Sequence, residues 1–378
     1  MKKKRYHPFP SLRQPAQVTF GSGSLRTAVA ELRTERTVYF VSAAPSVQEL
    51  LVAALAKYDR TLEELCWIEK PPGEPNWQAI QQGAAFLQET EYDTVVAIGG
   101  GSVLDWSRLS WALAAGILQL DSPRSLASSP DDAPGFWLVP STCATGAEAA
   151  SVAVFTHDGE KRPVVCDAFL AKRVLLDARF LNSLSPAVRA QSLADAMSHG
   201  IEAFLSIVPN YLAKEMALAS LGLIFEFHES SSSDDAQERL LEASYLAGLA
   251  ASHCSVGVIH AFAHSVARWG IPHGMANAIA LAAGIEANRD GVAMQRLISR
   301  LGLASVQALL DKIDKIVAPA FDDARMAPLL AALRHADDRN ELIACLERDV
   351  CLRTSPLAFD RDSLAQLLNA IERKVVSS

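Results

Sequence analysis

The sequence has little positive charge and no long apolar run. Its 378 residues include 35 Lys and Arg against 43 Asp and Glu, a formal net charge of −8 at pH 7. A chain with this charge has no general attraction to the phosphates of nucleic acids or to anionic membranes. The longest apolar runs, such as Trp111 to Leu118, are far shorter than the roughly 18 residues that span a bilayer. Neither nucleic acid nor a membrane is an expected partner.

Closely paired cysteines are also absent. The six cysteines are scattered without a C-x-x-C pair, which argues against a disulfide framework and against a thiolate metal site. The only basic run, Lys2 to Arg5, is not followed by the apolar stretch of a secretory signal, and it predicts a solvated tail. We therefore expect a cytoplasmic protein with reduced thiols.

The chain is long enough for two domains, at roughly 100 to 200 residues per domain. Its first half alternates short β-branched runs with amphipathic helical patterns, which predicts an α/β domain with a Rossmann-like, largely parallel sheet. The clearest strand signals are TVYFVS, DTVVAIGG, FWLVP and RVLLD, the clearest helices are PSVQELLVAALAKY and NWQAIQQGAAFLQET, and SVAVF with RPVVC predicts a hairpin carried on the sheet.

The strand signal disappears after Asp177. Ser185 is a candidate N-cap, and Pro186 follows at the first helical position, so two independent features predict that a helix begins there. From this point the pattern is helical, apart from the polar stretch HESSSSDD, which predicts a surface loop. The sequence predicts an α/β domain over residues 1–180 and an all-helical domain over residues 181–378.

Two small-residue turns follow predicted strands. Gly99, Gly100, Gly101 and Ser102 precede a helical pattern that contains Asp105. Glycines there let backbone N–H groups approach an anion at a helix N-terminus, although the spacing matches neither the dinucleotide fingerprint nor a Walker loop. A tight turn without a ligand remains the alternative. The second turn, VPSTCATGAE, follows the next predicted strand, and ligands of open α/β sheets bind beyond such strand ends, so we expect both turns to converge on one cleft.

One aspartate and four histidines occupy two small-residue segments. Asp195 and His199 share a face of a predicted helix, His260 and His264 repeat the spacing, and His273 follows in a turn. One carboxylate with several imidazoles suits Zn²⁺ or Fe²⁺ and lacks the oxygen-rich character of a Ca²⁺ site. A set of hydrogen-bonded core histidines is the alternative. That simpler interpretation is kept for His157, His228, His253 and His335.

Taken in order, these motifs resemble the iron-containing (group III) alcohol dehydrogenase family. The matching stretches are VTFGSGSL, AIGGGSVLD, PSTCATGAE, DAMSHGIEA and HAFAHSVARWGIPHGMANA, which together cover Val18 to Ala280. The resemblance implies an α/β N-terminal dinucleotide-binding domain, an all-α C-terminal metal-binding domain, and a site in the cleft between them. The remaining hundred or so residues carry no motif that we can use.

The resemblance also assigns site residues. The metal, Fe²⁺ or Zn²⁺, would be held by Asp195, His199, His260 and His273. His264 would be a catalytic histidine beside the nicotinamide and not a ligand. The residues that would bind NAD or NADP are Ala43, Gly99, Gly100, Gly101, Ser102, Asp105, Ser141, Thr142, Thr145 and Lys161. Glu202 is expected to make a structural hydrogen bond instead of contacting the metal.

The chain departs from the family pattern at several positions. Ser141, Ala144 and Ala147 replace Thr, Gly and Ser in the second turn, and the loop before His273 is one residue shorter. Ala43 stands where many members have an aspartate that binds the adenosine ribose, and losing that charge would make NADPH acceptable. The nucleotide preference therefore stays open.

The expected activity is reversible oxidation of a small alcohol to its carbonyl compound, by a homodimer or larger assembly. One alternative is a related enzyme on a phosphorylated or acidic substrate, such as a polyol-phosphate dehydrogenase or a dehydroquinate synthase. That reading needs basic residues near the metal, and Arg268 is the only candidate found there. Another alternative is a non-catalytic nucleotide-binding protein, which would not need the full set of ligands and His264.

Overall fold

The computed structural model of the protein describes residues 11–32, 36–118, 133–157, 160–230 and 233–377. The basic run from Lys2 to Arg5 lies outside the described residues, as do two residues of the serine-rich stretch between His228 and Asp235.

Six strands form one parallel sheet in the order β1-β8-β5-β4-β2-β3. They are β1 Val18–Phe20, β2 Thr37–Val41, β3 Cys66–Glu69, β4 Thr94–Gly99, β5 Gly135–Pro140 and β8 Arg173–Leu176. The parallel sheet is thus confirmed. The strands β1 and β3 are absent from the expected set because they are short, half-exposed edge strands, which have no need of a continuous apolar run.

Helices cover both faces of this sheet. They are α1 Ser24–Glu31, α2 Pro45–Ala56, α3 Trp77–Gln88 and α4 Gly101–Ala114. Side chains alternate along a strand, so Val95 and Ala97 of β4 join the core cluster that contains α3 and α4, while Val96 and Ile98 join the cluster that contains α1 and α2. Burial on both faces explains why β4 reads as an unbroken apolar run.

The predicted hairpin is present, but it is not part of the main sheet. Strands β6, Val152–His157, and β7, Glu160–Val165, pair antiparallel with each other in a separate two-stranded sheet. The backbone N–H of Val154 donates to Asp105 Oδ2 at 3.0 Å, which ties β6 to α4. The hairpin therefore packs on a helix and does not extend the sheet.

The second half is helical. Its helices are α5 Pro186–Leu205, α6 Tyr211–Phe227, α7 Asp234–Cys254, α8 Val258–Ser265, α9 His273–Ala287, α10 Val292–Arg300, α11 Val306–Val317, α12 Asp323–Arg334, α13 Ala336–Arg348 and α14 Arg361–Ser377. As predicted, Ser185 caps α5, accepting a hydrogen bond from the Val188 N–H, and Pro186 is its first residue. Because α5 is buried along most of its length, several of its polar residues lie inside the protein, namely Ser192, Asp195, Ser198 and Glu202.

No single helix among the described residues is both long and apolar enough to cross a membrane. One pair passes that test jointly, by length and composition, and it is bent by 97° between Asp234–Cys254 and Val258–Trp269.

Candidate metal and nucleotide site

The two small-residue turns leave neighbouring strands and touch each other. Strand β4 ends at Gly99 and α4 begins at Gly101, while Ser141, just past β5, donates its N–H to the Gly99 carbonyl at 2.9 Å. A Cβ on Gly101 would lie 2.7 Å from Thr145 Oγ1 of the second turn. Only glycine therefore leaves room for this approach. The structure thus brings the two turns together, as the sequence predicts.

The first turn suits a pyrophosphate. Gly100 caps α4 without any side-chain hydrogen bond, so the first N–H groups of the helix remain for a ligand, with Ser102 half-exposed beside them. Gly100 faces the Thr142 side chain, at 3.5 Å from a Cβ placed on it. The residues present at this edge of the sheet fit a dinucleotide.

Asp105 lies one turn further along α4 and already has partners within the protein. Its Oδ1 pairs with Arg108 at 2.6 Å and its Oδ2 accepts the Val154 N–H. Burial raises the pKa of Asp105, and the adjacent Arg108 offsets part of that rise. The Oδ2 contact therefore ties α4 to β6, and the Oδ1 contact joins two side chains of α4 itself. A role in binding the nucleotide stays a prediction for this residue.

The second turn packs directly on α7. Gly146 has a left-handed backbone with φ of 58°, and a Cβ there would lie 2.7 Å from the Cα of Gly248 and still closer to the Ser244 carbonyl. Glu148 follows inside the protein, with its Oε1 buried and lacking a hydrogen-bond partner. Burial raises the pKa of Glu148 to about 7.

The other two predicted nucleotide residues lie on different elements. Ala43 is exposed just beyond the end of β2. Lys161 lies on β7, mostly buried, with its Nζ 3.2 Å from Glu74. Burial is the main cause of the lowered pKa of His273, and the Lys161 charge adds to it, so the lysine lies near the histidines.

The aspartate and the histidines converge in three dimensions. Asp195 and His199 come from α5, His260 and His264 from α8, and His273 is the first residue of α9. The ring of His260 lies 4.4 Å from that of His199 and 5.4 Å from that of His273, between centroids. Three helices therefore build one cluster, which we call the histidine cluster.

Three members of the cluster have donor atoms close enough to share one ion. Asp195 Oδ1 lies 3.4 Å from His260 Nε2 and 3.5 Å from His273 Nε2, and the three donor atoms lie within 4.8 Å of one another. Asn277 donates to the same Asp195 oxygen at 2.7 Å and so fixes the carboxylate. His199 is not within that close group but stacks on His260.

Unpartnered atoms in the cluster indicate that these residues fit a metal ion. His260 Nε2 and His199 Nδ1 are buried and make no hydrogen bond. Such atoms are rare and costly in folded proteins, and a cation is the partner that an imidazole lone pair can bind. Imidazole and carboxylate donors suit Fe²⁺ or Zn²⁺.

Electrostatics around the cluster also favour a cation. Burial lowers the pKa of His199 to about 3 and the pKa of His273 well below its usual value, so both imidazoles are neutral. Burial also lowers the pKa of His260, but its contacts with Asp195 and Glu202 outweigh that effect and raise it to about 9. The negative charges of Asp195 and Glu202, which favour the protonated form of His260, would also attract a divalent cation.

Glu202 makes the structural hydrogen bond expected of it. Its Oε2 lies 2.7 Å from His260 Nδ1, and its Oε1 accepts the Ile259 N–H at 2.7 Å, at the start of α8. A Cβ on Gly257 would lie 2.9 Å from that Oε1, so glycine makes room for the carboxylate. This contact orients the ring and leaves Nε2 facing the cluster.

A partner of His264 was missed from the sequence. Asp349, between α13 and the following turn, places Oδ2 3.1 Å from His264 Nδ1, and its Oδ1 accepts the Cys351 N–H at 2.8 Å. Burial raises the pKa of Asp349, but the bond to His264 outweighs it, and the pKa lies at about 2. No local motif marks this residue, because it lies 85 positions from its partner.

Arg268, the basic residue noted near the ligands, is engaged with the protein itself. It pairs with Glu341 and donates to Cys345 Sγ at 2.9 Å. These contacts favour its interpretation as a salt-bridge residue at the rim. His228, His253 and His335 also contact neighbouring backbone or carboxylate groups, as expected of ordinary histidines.

Comparison with known proteins identifies relatives over most of the chain. The sequence profile of the family described as "Iron-containing alcohol dehydrogenase" matches residues 15–178, and "Fe-containing alcohol dehydrogenase family, C-terminal" matches residues 189–371. A probable alcohol dehydrogenase, EutG, of Salmonella typhimurium is 30% identical over 317 residues, 79% of this chain and 78% of that protein. A sulfoacetaldehyde reductase of Bilophila wadsworthia is 24% identical over 94% of this chain and 97% of its own.

A solved structure shows the same fold. The iron-containing alcohol dehydrogenase of Thermococcus thioreducens superimposes with a TM-score of 0.83 and 22% identity, covering 96% of this chain and all of that one. The profile matches extend over most of the sequence, and the EutG relative aligns over more than two thirds of both chains. The chain therefore belongs to the iron-containing alcohol dehydrogenase family, which confirms the expected class of enzyme, a metal-dependent oxidoreductase of alcohols and aldehydes.

Proposed function

We propose that this chain transfers a hydride reversibly between a nicotinamide cofactor and a small alcohol or aldehyde, at the histidine cluster. The observation that carries the proposal is the convergence of Asp195, His260 and His273, where the buried His260 Nε2 has no hydrogen-bond partner. The relatives named above as an alcohol dehydrogenase and a sulfoacetaldehyde reductase support this reaction class.

The metal-binding part of the site is assigned to four side chains. Asp195, His260 and His273 would hold the ion, with His199 completing the set from one turn beyond Asp195. When bound, the divalent ion supplies Lewis acidity toward the substrate oxygen, and the nicotinamide supplies the hydride acceptor or donor. Glu202 keeps His260 in the orientation that this requires.

The nucleotide would lie along the glycine turns. Backbone N–H groups from Gly99 to Ser102 would bind the pyrophosphate, and Ser141, Thr142 and Thr145 lie on the adjoining turn. Helix α8 packs against β7, which carries Lys161, so the nicotinamide end of a bound cofactor would point toward the cluster.

His264 is proposed to move the proton of the substrate hydroxyl. Asp349 accepts a hydrogen bond from its Nδ1, which leaves Nε2 as the acceptor. A carboxylate in this position also stabilises the imidazolium that forms when the proton arrives.

Other parts of the proposal rest on composition and on the family. The chain would divide into a nucleotide domain over residues 1–180 and a metal domain over residues 181–378. It would work in the cytoplasm as a homodimer or larger assembly, without a nucleic acid or membrane partner, consistent with its charge of −8.

Measuring alcohol and aldehyde turnover by the metal-loaded protein tests the proposal. Purified protein given Fe²⁺ or Zn²⁺ should change the nicotinamide absorbance with at least one member of a broad alcohol and aldehyde panel. His260→Ala should lose both bound metal and turnover, because it removes a central donor and leaves Glu202 buried without its partner. The exposed His335→Ala is the matched control and should keep both. Absence of turnover on the whole panel, or full metal content and activity in His260→Ala, would contradict the proposal.

A further inference from the structure

An exposed carboxylate outside the family motifs lies beside the end of β2. Glu69 is the last residue of β3 and pairs in register with Val41, the last residue of β2. Gln48 of α2 donates through Nε2 to Glu69 Oε2 at 2.7 Å, and the same nitrogen lies 3.4 Å from the Ser42 carbonyl. These contacts hold the Glu69 carboxylate next to the backbone that leads into Ala43.

This position matters because of the order of the strands. The first glycine turn, Gly99 to Ser102, follows β4, β2 is the neighbour of β4, and β3 lies beyond β2. In doubly wound folds the adenosine half of a dinucleotide extends from the phosphate turn over the end of the adjacent strand, where an acidic side chain accepts the ribose 2′-hydroxyl. Ala43 at the end of β2 offers no such group. Glu69 is exposed and offers one from the next strand.

Two lysines of this region, Lys70 and Lys161, have partners within the protein. The Lys70 ammonium, adjacent to Glu69 in sequence, is buried and donates to the Pro71 carbonyl at 2.8 Å and to the Gly73 carbonyl. Lys161 pairs with Glu74, which lies in the loop that follows β3. Among these described residues, a 2′-phosphate would meet the Glu69 carboxylate and two lysines that already have partners, in place of the free Arg or Lys that accommodates it in NADP-binding sites.

We propose that Glu69 accepts a hydrogen bond from the adenosine ribose and rejects a 2′-phosphate, so that the chain selects NAD over NADP. The inference rests on the proposed function and adds to it the residue that sets nucleotide preference. It also reverses the expectation attached to Ala43, because the missing charge is supplied from β3.

Nucleotide binding to the protein without added metal tests this inference apart from activity. Isothermal titration with NAD⁺ and with NADP⁺ should give at least roughly tenfold tighter binding of NAD⁺, since hydrogen bonds to charged groups have effects of this order. Glu69→Gln should reduce that ratio by about tenfold, chiefly by improving NADP⁺ binding. Glu49→Gln is the matched control, because it removes an exposed charge from α2 next to Gln48 and should leave the ratio unchanged.

A rescue variant separates specificity from a general loss of structure. Adding Ala43→Asp to Glu69→Gln should restore the preference for NAD⁺, and thermal unfolding without nucleotide should be similar for all variants. If NAD⁺ binds but the ratio is unchanged in Glu69→Gln, or if the native protein binds both nucleotides equally, the inference is overturned and the proposed function stands. If neither nucleotide binds, both are overturned.

Discussion

The glycine turns and the histidine cluster differ in the atoms that they offer to a ligand. At Gly101 and Gly146 a side chain would collide with neighbouring elements, so these turns present backbone N–H groups. In the histidine cluster the available atoms are side-chain nitrogens, buried and unpartnered at His260 and His199. One region depends on the absence of side chains and the other on their identity, so the two should respond differently to substitution.

The largest expected effect concerns the backbone of the second turn. Gly146→Ala should lower the free energy of unfolding by about 3 kcal/mol, because it combines a left-handed backbone with overpacking against α7. Urea unfolding would measure this loss. Gly222→Ala, in α6 with open space around it, is the control and should be neutral or raise the free energy of unfolding by roughly 0.5 kcal/mol. Equal losses in both variants would show that close packing at Gly146 is unimportant.

The next effect should be confined to the histidine cluster. Glu202→Gln should weaken metal binding about 10- to 100-fold, because it removes the charge that orients His260, while NAD⁺ binding stays unchanged. Competition with a chelator would give the metal affinity. Glu286→Gln, at an exposed carboxylate paired with Arg289, should alter neither property. Unchanged metal affinity in Glu202→Gln would refute the orienting role.

The smallest expected effect concerns pH and compares two buried carboxylates, Asp195 in the histidine cluster and Glu148 in the second turn. Near the histidines, burial raises the pKa of Asp195, but the surrounding imidazoles outweigh it and hold the pKa below its usual value. In the turn, burial raises the pKa of Glu148 to about 7, against the opposing charge of Arg108 and with Tyr245 nearby. One carboxylate is therefore ionised and the other is neutral below neutral pH.

The raised pKa of Glu148 determines how the free energy of unfolding changes with pH. Between the ordinary glutamate pKa of 4.5 and about 7, Glu148 stays protonated in the folded state and ionises in the unfolded state. Its contribution therefore lowers stability as pH rises through this window and is constant above it. The free energy of unfolding of Glu148→Gln, taken relative to that of the native protein, should therefore rise by about 2 kcal/mol from pH 5 to pH 8. A pH-independent difference in urea unfolding would contradict this assignment.

Local patterns were enough to predict most of the fold. The unbroken apolar run of β4, the Ser185 and Pro186 start of α5, and the spacing of Asp195 and His199 each depend on near neighbours in sequence. The edge strands and the placement of the hairpin were not predicted correctly, because they depend on which element lies beside them. The roles of the nucleotide-binding residues, the metal ligands and His264, and the domain boundary near residue 180, stay predictions.

By itself the sequence determined the parallel sheet, the helical second half, the convergence of two turns and the family. These follow from periodicity and from motifs, which are local properties. Only the tertiary structure placed Asp349 against His264 and Glu69 beside Val41 at the end of β2, which are separated by 85 and 28 positions in the chain, respectively. Hydrogen bonds between distant residues depend on how helices and strands pack, and no spacing rule encodes them.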